Sequence, residues 1–140
     1  MNPRPDPLPH LAAVAAAIAA PGQPEAAFRA LDSALGAVLG HKLFTVLLHH
    51  AGTRESERVY TNQPAAYPVG GRKALRDTAW GRQVLQERRV YIGRDAADIR
   101  TDFPDHELIA SLGCASIINL TFDLLKTVAL PGNPFGPAAL

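Results

Sequence analysis

The chain has 140 residues, 47% of them hydrophobic, which suits one domain with a real core and argues against disorder throughout. With 14 basic and 13 acidic residues the formal net charge is +1, far from the concentrated positive field that a nucleic-acid backbone demands, so no nucleic-acid partner is expected. A single cysteine, Cys114, excludes an internal disulfide and suits a reducing compartment, which makes the cytoplasm the expected location.

The opening MNPRPDPLPH holds four prolines and reads as an irregular arm. LAAVAAAIAA follows. Ten apolar residues are half a membrane span, and Arg4 is offset by Asp6, unlike the basic start of a secretory signal. An alanine-rich helix stopped by Pro21-Gly22 is therefore expected, with no membrane partner. From Pro24, PEAAFRALDSALGAVLG places Ala27, Phe28, Leu31, Leu35, Val38 and Leu39 on one face, with Gly40 as the stop, and predicts an amphipathic helix.

LFTVLLHH is apolar on both alternations, as in a strand covered on both faces, and predicts a central position in a sheet. ERVYTN alternates as a half-buried second strand. RVYIG then predicts a short third strand, FPDHELIASLG a helix with Leu108, Ile109 and Leu112 inward and Gly113 at its end, and CASIINLTF a fourth strand. TFDLLKTVAL can supply a substitute strand or helix, and the Pro/Gly-rich end reads as a frayed tail.

The most informative stretch is Arg58 to Gly93, where two strand-like runs are joined by a polar, aromatic and Gly/Pro-rich connection, the usual place for a site in a small domain. Pro64, Tyr67-Pro68 and Gly70-Gly71 break regular structure. Asp77 followed by TAWGRQVLQER reads as an N-cap and about three turns of helix.

VYTNQPAAYPVGGRK, DTAWGRQVL and SLGCASIIN, in the order strand, helix-bearing crossover and strand, resemble the GAF domain over roughly Pro24 to Leu120. The resemblance implies an α+β fold, a GAF-like antiparallel sheet with N-terminal helices on one face and the helix-containing crossover on the other. Residues 1–22 are then an arm and helix, 23–127 an incomplete GAF-like domain, and 128–140 a flexible tail. The late strands and closing helix of the family have no counterpart in LLKTVALPGNPFGPAAL. The first helix of resembling proteins can pair with that of a second subunit, so a homodimer through N-terminal helices is an expected partner arrangement.

The candidate ligand-binding residues are Tyr60, Tyr67, Arg72, Arg76 and Trp80. An indole can wall a pocket, tyrosines can contact a planar ligand, and a guanidinium can meet a carboxylate or phosphate. Each has a structural reading beside this one. Trp80 with Val84 can pack the helix on the sheet, Tyr67 before Pro68 can fix an extended turn, and Asp77 can serve as a cap with Arg76 as its ion-pair neighbour.

No metal, cofactor or catalytic group is assigned. His49 and His50 point to opposite faces of a strand, His41 and His106 lack metal-ligand spacing, and no Gly-rich phosphate motif occurs. The reading taken is a non-catalytic, small-molecule-binding sensory module of the GAF type, coupling occupancy to helix-mediated interaction. Two alternatives stay open: a ligand-free dimerisation scaffold, and a thiol redox enzyme at Cys114, which would resemble free methionine sulfoxide reductases but lacks their several cysteines.

Overall fold

The structure, a computed structural model, describes residues 3–122. The expected tail at 128–140, and the substitute element from residue 123 onward, lie outside the described residues. The chain divides into two compact units. Among the described residues one comprises 3–48 and 57–71, and the other 49–56 and 72–122.

In the first unit the alanine-rich run forms helix α1, Leu8–Ala19. It begins earlier than the alanine run because Asp6 Oδ1 accepts the Leu8 N–H at 3.0 Å and Pro9 falls in the first turn, where its missing N–H costs nothing. At the other end Gln23 Nε2 donates to the carbonyls of Ala17 (2.6 Å), which also accepts the Ala20 N–H, and Ala20 (2.8 Å), adding donors to the carbonyl-rich helix end.

Helix α2, Glu25–Leu39, packs against α1, with Val14 and Phe28 buried. It stops where expected, at Gly40, whose φ of +70° is the left-handed conformation that glycine adopts without a Cβ clash. Leu39, expected to face inward, is 65% exposed: it lies on the stripe of Phe28 but is the last helical residue, and nothing among the described residues covers that end.

Strands β1 (Thr45–His50) and β2 (Glu55–Thr61) are joined by four residues, a connection that permits only antiparallel pairing. The short strand β3, Arg72–Ala74, completes the order β1-β2-β3. Among the described residues the expected central strand is thus at the edge, and β2 is in the middle. Only Val46 of β1 is buried, while Leu47 and Leu48 are exposed. An apolar pattern on both alternations reports what a strand can bury, whereas cover and pairing depend on residues far away in sequence.

In the second unit a helical turn, α3 (Ala79–Gly81), runs into a π-helical turn over Arg82–Gln86. Strand β4, Tyr91–Gly93, pairs antiparallel with β5, Ile117–Asn119, in a separate two-stranded sheet, with Ile92 opposite Ile118. The two strand runs read from the sequence as third and fourth members of one antiparallel sheet are therefore a ribbon of their own.

Between them lie α4 (Ala96–Asp102) and α5 (His106–Ser111). No element expected from the sequence covers α4, although its cap is explicit: Asp95 Oδ1 accepts the N–H groups of Ala97 (2.9 Å) and Asp98 (3.0 Å). The α5 end follows expectation. Gly113, at φ +78°, donates to the Ala110 carbonyl (2.8 Å) and Cys114 N–H to that of Ile109 (3.3 Å), the paired bonds of a Schellman turn. Ile109 is buried as expected, but Leu108 is exposed and Leu112 only half-buried. Helices and antiparallel strands together make the chain α+β.

Candidate functional site

Tyr60 and Tyr67 belong to the first unit, and Arg72, Arg76 and Trp80 to the second. Tyr60 is held by its hydroxyl and its ring. The hydroxyl donates to Asp32 Oδ2 at 2.8 Å, and the ring lies among Phe28 (6.0 Å between centroids) and Phe44 (5.8 Å). Burial, followed by the bond to Asp32, pushes the phenol up to about 12. The other Asp32 oxygen meets His41 Nε2 at 2.6 Å, and the His41 ring lies tilted against Phe44 at 5.6 Å between centroids. Asp32 and His41 complete the surroundings of Tyr60, and neither is among the candidate residues expected from the sequence.

Tyr67 is buried, with its N–H bonded to the Gln63 carbonyl at 2.8 Å, and the Arg58 guanidinium lies over its ring at 4.7 Å. Arg72, on β3, is 3.7 Å from Glu55. Trp80 donates from Nε1 to Asn119 Oδ1 at 3.1 Å and meets Phe103 edge to face at 6.2 Å. These contacts tie the crossover to β5 and to the end of α4.

Arg76 is differently placed. It lines a cleft of about 90 Å³ together with His49, Arg54, Asp77, Thr78 and Arg82. Of the five candidate residues, Arg76 alone reaches this cleft. A second concavity, about 300 Å³ between α1 and α2, is lined by alanines with His10 and Ser33 and holds none of the five.

The cap of α3 is Thr78, not Asp77: Thr78 Oγ1 accepts the Gly81 N–H at 3.0 Å. Asp77 instead meets Arg82 at 2.8 Å, because the cap position falls one residue later than the sequence pattern placed it. Among the described residues Arg76 has no ion-pair partner, so the expected pairing with Asp77 is replaced by that of Arg82. Thr78→Ala is accordingly expected to cost about 1 kcal/mol in urea unfolding. Asp77→Ala, which removes only an exposed ion pair, is expected to cost roughly 0–1 kcal/mol, and less than Thr78→Ala. The reverse ranking would displace the cap.

Among the described residues no group of three His, Cys, Asp or Glu side chains is placed to hold a metal ion, and no helix is long and apolar enough to cross a membrane. Cys114 is half-buried just beyond the α5 stop. No protein-family model, curated protein or solved structure matches the chain. The fold and the site therefore define it only as an α+β protein with an arginine-lined cleft.

Proposed function

We propose that the chain is a small, non-catalytic regulatory module of the GAF type that binds a small molecule and passes occupancy to helix-mediated contacts. The observation that carries the reading is the cleft at Arg76, a concave site walled by side chains from the β1–β2 turn and the crossover. At about 90 Å³ it is smaller than the roughly 300–1,000 Å³ of sites that engulf a whole drug-sized ligand, so it suits a compact molecule or one polar end of a larger one. Tyr60, Tyr67 and Trp80, already engaged with protein partners, shape the units rather than contact the ligand.

A thermal-shift screen of small molecules is the test. A stabilising compound is expected, with its effect lost in an Arg76→Ala protein of unchanged secondary structure. Absence of any stabilising compound, or a gain that survives Arg76→Ala, removes the reading.

One observation favours a second reading, self-association through α1. Leu8, Leu11 and Ile18 are exposed at spacings of three and seven residues, and the helix carries no Asp, Glu, Lys or Arg. Light scattering is expected to give a dimer that Leu11→Glu with Ile18→Glu converts to monomer. A monomeric parent protein excludes it.

A further inference from the structure

We propose that the cleft is a receptor for a phosphoryl group, held by Arg54 and Arg76; the inference rests on the small-molecule reading of this site and names the ligand's chemistry. Three guanidinium groups and one imidazole line the cleft against a single carboxylate, Asp77. That carboxylate is already matched by Arg82 at 2.8 Å. Arg54 and Arg76 therefore bring two positive charges that no carboxylate among the described residues compensates.

The two arginines come from different elements, and the backbone fixes one against the other. Leu75 N–H donates to the Arg54 carbonyl at 2.9 Å, which sets residue 54 beside the residue preceding Arg76. Arg54 itself adopts φ +53°, a left-handed conformation that glycine or asparagine occupies at less cost. The turn thus carries a charged side chain where a smaller residue would relax it.

The anion's shape follows from this arrangement. A carboxylate is saturated by one bidentate guanidinium, whereas a phosphoryl group offers three terminal oxygens and can bridge two guanidiniums approaching from separate elements. Thr78 adds a donor, because its Oγ1 accepts from Gly81 N–H and its own proton remains to be given. A volume of about 90 Å³ admits such a headgroup and leaves the remainder of a larger ligand outside.

The experiment titrates the full chain with inorganic phosphate, with glycerol phosphate as a monoester and with acetate, at equal and low ionic strength, following the arginine side-chain resonances. Saturable binding of phosphate or its ester is expected, with acetate at least tenfold weaker. Tighter binding of the ester assigns the source to an organic phosphate, and equal binding assigns it to the free ion. Arg54→Gln and Arg76→Gln are each expected to weaken phosphate binding at least tenfold. Arg54→Gly is expected to abolish binding while raising the unfolding temperature, a combination that a purely structural arginine does not produce. Unchanged affinity in both glutamine variants, or acetate bound as tightly as phosphate, overturns the proposal. If a neutral compound stabilises the protein through Arg76 while phosphate does not bind, the phosphoryl assignment falls and the broader small-molecule reading stands.

Discussion

Asp32→Ala is expected to lower the unfolding free energy by about 2 kcal/mol, read from urea denaturation at neutral pH. One carboxylate accepts the Tyr60 hydroxyl at 2.8 Å and meets His41 Nε2 at 2.6 Å, so its loss strands polar groups on α2's neighbouring strand and on the segment after Gly40 together. Asp32 and His41 keep 18% and 17% of their side-chain surface accessible, and water therefore recovers part of the loss. Tyr60→Phe removes one bond only and is expected to cost about 1 kcal/mol. Because both substitutions break the same contact, the double variant is expected to lose less than the sum of the single losses. Additive losses would mean that the bond contributes nothing.

The same contact has a pH signature. Tyr60 is pushed up from 10.0 to about 12 in the folded protein, first by burial and then by Asp32. Between those values the unfolded chain releases the phenolic proton while the folded chain retains it. Stability from this group is therefore complete below pH 10 and declines as pH rises toward 12. Tyr60→Phe is expected to flatten that part of the decline. Tyr91, whose hydroxyl donates to Asp102 Oδ2 at 2.5 Å, is raised in the same direction and contributes its own loss, so the slope diminishes in the variant without vanishing.

The local punctuation of the chain was legible: Gly40 and Gly113 end their helices with the positive φ that only glycine adopts freely, and Phe28 and Ile109 are buried where the 3.6-residue period put them. What the pattern did not carry was pairing over distance. His41 lies 9 residues from Asp32 and Tyr60 lies 28, and no spacing rule links a helix, a loop and a strand at such separations. The same holds for β1, whose apolar run gave no sign of its place at the edge of the sheet formed by the described residues. Arg76 entered the candidate site as a guanidinium before a helix, but its companion Arg54 stood in a polar turn that looked like any solvated loop. The pairing of β3 with β2 and the Leu75-to-Arg54 backbone bond bring the two segments side by side.

Trp80→Ala is expected to be the most damaging substitution in the second unit, costing about 3 kcal/mol. The indole bonds Asn119 on β5 at 3.1 Å and meets Phe103, the residue that ends α4. Phe103 in turn lies 5.7 Å from Tyr91 on β4, edge to face. Removing the indole opens space beside both rings and leaves the Asn119 oxygen without its donor. Trp80→Phe keeps a ring against Phe103 and loses only the N–H, and is expected to cost about 1 kcal/mol. Circular dichroism is the readout, since the tryptophan is the only one in the chain and its fluorescence disappears with it. Trp80 does not line the arginine cleft, so phosphate affinity is expected to be unchanged in the Phe variant. A Trp80→Ala protein with parental stability but no ligand affinity would move the receptor from the cleft to the indole, because packing and binding at one side chain predict opposite columns of that comparison.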